Sequence, residues 1–322
     1  FSNDGKQVVT ASEDGTALVF DAISGKLLGA GDGSATGLRP QDRTFLAPRI
    51  VEQAVFGPSD RFLMGIAGDV VTTWRRIGAS GRFVRQSTQD LYRAVRTPPL
   101  AVAHPQFPLI ANVSSQRVVI WTPFTPKPTI IPSTGSLVTA LAWSPATGSR
   151  QLAVGYASGE IGVFEISDLR TAPRAIWNAP ISAHSETITK LAFGPQGQWL
   201  ASGSTDRRAA VWNVATQQER WQPWLHGDSV RDLAWSSDGR LLATGAADNR
   251  ARILDSATGD LRQTYAGHTD WVTRVAFDPE ARRLFTISYD GSARIFHVGR
   301  SQTDALAVSL PREVSSVEWW PL

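Results

Sequence analysis

The amino-acid sequence predicts an all-β fold that is assembled from repeated units of short strands. Three segments, which begin at His184, His226 and His268, align without a gap at a spacing of 42 residues. Within each segment, short apolar runs alternate with turns that contain Gly, Pro or Asp, and the period of about 3.6 residues expected of an amphipathic helix is absent. A spacing of this length between strand-rich units indicates an array of repeats.

The unit that starts at His184 shows the strand pattern most clearly. An apolar run ends at Phe193, a second run covers residues 199–202, and an alternating third run covers residues 209–212. Runs of this kind between turn residues predict β-strands. Along the whole chain the pattern predicts long insertions near residues 29–48 and 76–97. It places the ends of seven first strands at Phe56, Ala103, Trp143, Phe193, Trp235, Phe277 and Trp319.

The repeats resemble the WD-repeat family. The marks of that family are the dipeptide Gly267-His268, the stretch of residues 200–206 and the strand-ending Trp212. The resemblance is specific between residues 184 and 297 and weaker elsewhere. It implies a β-propeller, in which four-stranded blades surround a central channel. We therefore expect residues 1–322 to form a single seven-bladed WD-repeat β-propeller of a bacterial type.

The ring is expected to close through its C-terminal strand. Residues 313–320 would join the N-terminal blade, whose other three strands come from residues 6–31. Closure is favoured because an unpaired sheet edge invites aggregation. A boundary between two tandem propellers, with Trp319 opening the second, remains the alternative. Because the chain starts at Phe1 in the middle of a motif, we expect it to be a piece of a longer polypeptide.

Composition excludes several classes of function. The chain has no Cys, which rules out disulfides, thiolate metal sites and Cys nucleophiles. It has no H-E-x-x-H motif, phosphate loop or dinucleotide fingerprint, so we expect no metal and no cofactor. Its net charge is +3, without a strongly basic stripe. No signal peptide is present and no apolar run reaches the roughly 18 residues of a membrane span, so we expect a cytoplasmic protein without membrane contact.

One set of residues contains the Ser, His and Asp of a hydrolase triad. The set consists of His184, Ser202, Asp206 and Trp212. The resemblance implies that these residues form a buried, hydrogen-bonded structural tetrad. Two neighbouring repeats carry partial copies, His226, Thr244 and Asp248 in one and His268, Thr286 and Asp290 in the other. A catalytic set would not recur with graded loss, and no G-x-S-x-G elbow is present, so we expect no catalytic residue and no enzyme.

The resemblance also implies where a partner docks. In this family, partners meet the face on which the loops before the first strands converge. The exposed positions there are the third and fifth residues after the repeat His and the residue before the turn Asp. In this chain they are Thr187, Thr189, Thr205, Ser229, Arg231, Ala247, Trp271, Thr273 and Tyr289, with Glu313, Ser315 and Glu13 from the blade at the ring closure and Ile50, Glu52, Leu137 and Thr139 from the weaker units.

Trp271, Tyr289 and Arg231 are the strongest candidates, because these residue types dominate binding hot spots. Packing of Trp271 against a neighbouring blade is the alternative for that residue. We predict a non-catalytic scaffold or sensor module of a signalling or defence protein. Its partner would be a protein, or another domain of the same polypeptide, bound near the channel. The competing hypothesis is nucleic-acid binding through an Arg-rich rim made by Arg207, Arg208, Arg250, Arg252 and Arg294.

Overall fold

The computed structural model describes residues 100–299 almost continuously, with gaps at 108, 115, 123–127, 133, 168–170 and 178–179. Outside that stretch it describes Ser24 and the strands at 7–11, 17–21, 27–30, 53–56, 62–67, 70–77, 82–90 and 306–309. Every regular element in these residues is a β-strand, which confirms the all-β prediction. Within this described part, no helix has the length and apolarity needed to cross a membrane.

The chain divides into two compact units, and the first consists mainly of Phe1–Thr134. Its described residues form three antiparallel sheets. One sheet contains β1 (Gln7–Ala11), β2 (Ala17–Asp21) and β3 (Leu27–Ala30). Another contains β4 (Gln53–Phe56), β5 (Phe62–Ala67), β6 (Val70–Ile77) and β7 (Arg82–Asp90). The third contains β8 (Ala101–Ala103), β9 (Ile110–Ser114), β10 (Arg117–Trp121) and β11 (Thr129–Ile131).

The second unit, Gly135–Ser167 and Pro173–Pro321, has four antiparallel sheets in its described residues. One sheet contains β12 (Val138–Trp143), β13 (Gln151–Tyr156), β14 (Glu160–Glu165), β15 (Arg174–Ala175) and β16 (Ile181–Ser182). The next contains β17 (Ile188–Phe193), β18 (Trp199–Ser204), β19 (Arg208–Asn213) and β20 (Trp224–Leu225). It is followed by β21 (Val230–Trp235), β22 (Leu241–Ala246), β23 (Ala251–Asp255) and β24 (Leu261–Tyr265). The last contains β25 (Val272–Phe277), β26 (Arg283–Ser288), β27 (Ser292–His297) and β28 (Leu306–Ser309).

Six of the seven predicted first-strand ends are confirmed to the residue. Strands β4, β8, β12, β17, β21 and β25 end at the predicted positions, whereas Trp319 lies outside the described residues. The expected closing strand at 313–320 also lies outside them, as does most of the expected insertion at 29–48. The predicted insertion at 76–97 is wrong over β7, because this segment pairs with β6 as an ordinary fourth strand.

Glycines in the second strands let neighbouring sheets of the second unit approach closely. A Cβ atom on Gly155 would lie 2.6 Å from Cγ2 of Ile188, and one on Gly203 would lie 2.6 Å from Cγ1 of Val230. Since Cβ contacts this short do not occur, a β-branched residue of the next first strand fills the space that each glycine leaves. Leu200–Ser204 is buried throughout, because β18 has a sheet on either side.

Candidate protein-docking surface

The same backbone hydrogen bond recurs beside the first strand of each sheet in the second unit. The residue before the turn donates its N–H to the carbonyl of the residue before the first strand, at 2.8–3.0 Å. The sequence positions predicted for partner contact are therefore physical neighbours. We name these four pairs, together with the bulge residues described next, the loop face. The pairs are Leu137 with Ala157, Thr187 with Thr205, Ser229 with Ala247, and Trp271 with Tyr289.

Each of the four first strands contains a β-bulge near its start, at which one residue has no partner on the second strand. The bulge residues are Thr139, Thr189, Arg231 and Thr273. A bulge changes the direction of its side chain and is common next to binding sites. The three threonine hydroxyls donate to backbone carbonyls of the facing strand, at 2.9–3.3 Å. Arg231 is thus the one charged bulge residue among the four.

Arg231, Trp271 and Tyr289 form a contiguous group, which we name the aromatic–arginine cluster. The guanidinium carbon of Arg231 lies 4.1 Å from the centroid of the Trp271 ring, a cation–π distance. The ring centroids of Trp271 and Tyr289 are 5.8 Å apart, with an interplanar angle of 39°. Trp271 is 38% exposed and Tyr289 is 68% exposed. Trp271 therefore does not belong to the packed core.

The other predicted contact residues differ in their exposure. Six are half-buried, namely Thr139, Thr187, Thr189, Thr205, Ser229 and Thr273. The expectation that Ala247 is exposed is wrong. Its exposure is 6%, because the side chain is a single methyl group on a backbone fixed to Ser229. Leu137, predicted from a weaker unit, is 53% exposed, whereas the predicted contacts at Glu13, Ile50, Glu52, Glu313 and Ser315 lie outside the described residues.

A polar link that the sequence analysis missed joins three first strands. Lys190 Nζ on β17 lies 2.9 Å from Oδ1 of the buried Asp232 on β21. The backbone N–H of Val275 on β25 donates to Asp232 Oδ2 at 2.9 Å. Both interactions reach from one sheet to the next. The available signal was an Asp inside an otherwise apolar strand, where a charge requires a partner.

The four residues of the expected tetrad form one chain of hydrogen bonds. Trp212 Nε1 donates to Ser202 Oγ at 2.8 Å, and Ser202 Oγ lies 2.8 Å from His184 Nε2. His184 Nδ1 donates to Asp206 Oδ2 at 2.9 Å. Burial opposes ionisation of Asp206, but the hydrogen bond and charge of His184 outweigh it and lower the pKa. Ser202 is 0% exposed, so its hydroxyl is closed to a substrate.

The two partial copies differ from each other. In the last repeat, His268 contacts both Thr286 and Asp290, as His184 does with its partners. In the repeat before it, Arg252 donates two hydrogen bonds to the carboxylate of Asp248, with nitrogen–oxygen distances of 2.7 and 3.1 Å.

His226 in that repeat instead donates from Nδ1 to the carbonyl of Arg207 at 3.3 Å. Its Nε2 is hydrogen-bonded to Thr244 Oγ1 at 2.8 Å. Burial, assisted by the charge of Arg252, lowers the pKa of His226 to about 4. The partial copy predicted from the sequence therefore lacks a direct contact between His226 and Asp248. An Arg at this position does not by itself cause the change, because Arg294 holds the equivalent position in the last repeat, where His268 contacts Asp290.

Parts of the chain match two family models. Residues 1–21 and 178–213 match the model described as WD domain, G-beta repeat. Residues 209–280 match the model of the anaphase-promoting complex subunit 4 WD40 domain. The matched residues carry WD repeats. Together with the antiparallel sheets, the matches show an all-β, β-propeller-like fold. WD40 repeats are generally non-catalytic and typically bind protein partners.

Two full-length proteins illustrate the WD-repeat relationship. The chain is similar to the Denticleless protein homolog of Danio rerio, with 26% identity over 248 residues, which cover 66% of this chain and 36% of that protein. It is also similar to Protein pleiotropic regulatory locus 1 of Arabidopsis thaliana, with 38% identity over 50 residues, or 14% of this chain and 10% of that protein. The matches span well under half of either relative. Neither relative is bacterial, so the expected bacterial type is not supported.

The predicted Arg-rich rim of the WD repeats needs one correction. Arg252 is 8% exposed and paired with Asp248, so it belongs to the interior. Arg207 and Arg250 are exposed, whereas Arg208 and Arg294 are half-buried. In the described part of the chain, no three His, Asp or Glu side chains are arranged to hold a metal ion.

Proposed function

We propose that this WD-repeat chain is a non-catalytic scaffold or sensor module that binds a protein partner on the loop face of its second unit. The partner is a separate protein or another domain of the same polypeptide, in a cytoplasmic signalling or defence protein. The observation that carries the proposal is the aromatic–arginine cluster. Its two aromatic rings are in contact, both are exposed, and an Arg is stacked against one of them.

The chemistry of the cluster suits a protein surface. Contiguous exposed apolar groups, unlike single ones, mark interaction sites. Trp, Tyr and Arg are also the residues that contribute most to protein interfaces. Leu137, at the position in its sheet that corresponds to Trp271, adds a second exposed apolar side chain to the loop face. The half-buried threonines and Ser229 supply small polar groups between them.

Tyr289→Ala should weaken partner binding by about 1–2 kcal/mol, or roughly 5–30-fold in Kd, without lowering the melting temperature. The loss follows from removing an exposed ring that only a partner would bury. Peptides selected from a displayed random library on the wild-type chain provide the ligands, and fluorescence anisotropy measures their affinity.

The matched control is Leu225→Ala, because Leu225 is 60% exposed but lies on the outer strand β20. This change should leave the affinity unaltered. Exchanging Arg207 and Arg208 for Glu should also have little effect. If those exchanges abolish binding while Tyr289→Ala is silent, the loop-face model fails and the nucleic-acid hypothesis takes its place.

We further propose that the WD repeats form a single seven-bladed propeller over residues 1–322, closed by residues 313–320. The described sheets of the two units support this count of blades. Deleting residues 311–322 should lower the melting temperature and promote aggregation, because a strand edge and several apolar side chains lose their cover. A truncated chain that melts like the parent and stays monomeric in size-exclusion chromatography would show the closure to be wrong.

A further inference from the structure

The bulge of the third sheet in the second unit differs in kind from its counterparts. In the other three sheets this position is Thr, and each hydroxyl is used by a backbone carbonyl. Arg231 makes no such bond. Its Nε is buried without a hydrogen-bond partner, and within the described residues its guanidinium makes no hydrogen bond or ion pair. The guanidinium is stacked on Trp271, with its carbon 4.1 Å from the ring centroid.

The acidic residues nearest in sequence to Arg231 and Trp271 are engaged elsewhere. Asp232, directly after Arg231, contacts Lys190 through Oδ1 and accepts the Val275 N–H at Oδ2. Asp228 accepts hydrogen bonds at Oδ1 from both the N–H and the hydroxyl of Ser229. Asp270 accepts one at Oδ1 from the N–H of Trp271, at 2.7 Å. The carboxylates of Asp228 and Asp270 thus fix the turns that lead into β21 and β25. The positive charge of Arg231 is left without a counter-charge in the part of the molecule that the structure describes.

The stack holds the half-buried Arg231 beside two exposed aromatic rings. Trp271 restricts the rotation of the guanidinium plane, so less side-chain entropy is lost when a ligand binds. Tyr289, whose ring centroid lies 5.8 Å from that of Trp271, is 68% exposed, and its hydroxyl makes no hydrogen bond with described residues. A charged donor and a neutral donor therefore belong to two residues that both contact one aromatic ring.

We infer that the aromatic–arginine cluster recognises a carboxylate, carried by an Asp or Glu side chain that stands beside an apolar residue in a partner segment. This inference rests on the proposed function and names the chemistry of its partner. Arg231 supplies charge-assisted hydrogen bonds to the carboxylate, the strongest polar contact available to a planar guanidinium. The apolar neighbour covers Trp271 and Tyr289. The charge complementarity selects an acidic protein segment over a basic one.

The test uses the full chain and peptides selected on it from a displayed random library. We expect the selected peptides to contain Asp or Glu next to an aromatic or aliphatic residue. Replacing that acid by Asn or Gln should weaken binding by about 10-fold or more. Against Arg231→Thr, the same replacement should change the affinity less than about 2-fold. Thr is the native residue at three of the four bulges, so this variant should keep its melting temperature.

If Arg231→Thr melts early, Arg231→Gln takes its place, because Gln keeps part of the stem and loses the charge. The inference would be overturned if replacing the peptide acid by its amide weakened binding to the same extent in the wild-type chain and in the Arg231 variant. So would selected peptides that lack acids, or binding restricted to phosphorylated peptides or to a single-stranded oligonucleotide. Peptides that depend on Tyr289 but not on an acid defeat this inference alone, whereas a failure to select any peptide defeats the proposed function as well.

Discussion

Asp248→Asn should lower the free energy of unfolding by about 3 kcal/mol, because it removes one partner of a mostly buried ion pair. The side chains of Arg252 and Asp248 are only 10% and 13% exposed, and their shortest nitrogen–oxygen distance is 2.7 Å. Burial opposes ionisation of Asp248, but the hydrogen bond and charge of Arg252 outweigh it and lower its pKa. Asn keeps the shape and leaves the guanidinium without its counter-charge. Urea unfolding followed by Trp fluorescence measures the loss.

The matched rescue is the double variant Asp248→Asn with Arg252→Ala. Ala210 is the native residue at the corresponding position of the preceding repeat, so Ala is compatible with the sheet. The double variant should recover at least half of the lost stability, because no unpaired charge remains. Arg262→Ala, which breaks an ion pair at the surface, should shift the melting temperature little. An Asp248→Asn chain as stable as the parent would show that the pair does not stabilise the fold.

The strand order of this chain was predictable because the same physical requirement recurs at a fixed interval. Each first strand must bury apolar residues and end in a turn, so Phe193, Trp235 and Phe277 mark equivalent places in sequence and in structure. The fourth strands were harder to predict. Strand β7 carries few apolar residues, and its sequence, RFVRQSTQD, does not distinguish an outer strand from a loop. Pairing with β6 decides its conformation, and pairing is not a local property.

The candidate site was predictable in position but not in contacts. The repeat places Arg231, Trp271 and Tyr289 in adjacent units, yet the alignment does not reveal that a bulge redirects Arg231 toward Trp271. Similarly, Asp248 aligns with Asp206 in the sequence. The alignment does not reveal that Asp206 is bound by His184 whereas Asp248 is bound by Arg252. Partner choice depends on side-chain reach and local packing, which a repeat alignment does not contain. The buried Ala247 is the same kind of case.

Ser202→Ala should lower the free energy of unfolding by about 2–4 kcal/mol, since two buried groups lose their partner at once. Trp212 Nε1–H and His184 Nε2 both bond to the one hydroxyl, each at 2.8 Å, and no described group replaces it. Ser202→Thr is the matched control. Thr244 and Thr286 hold the same position in the next two repeats, each 2.7–2.8 Å from its His.

The Thr variant should therefore retain most of the stability that the Ala variant loses, as measured by chemical unfolding, unless the added methyl group is too large for the site. The same pair of variants separates structure from catalysis. If the Ser202 hydroxyl is structural, neither the parent chain nor the Ala or Thr variant should react with a fluorophosphonate. Ser202 is fully enclosed and Trp212 donates a hydrogen bond to its oxygen. Labelling of Ser202 by the fluorophosphonate, or an Ala variant as stable as the parent, would contradict the structural role. In that case the Ser–His–Asp arrangement would have to be reconsidered as a hydrolytic site that opens transiently.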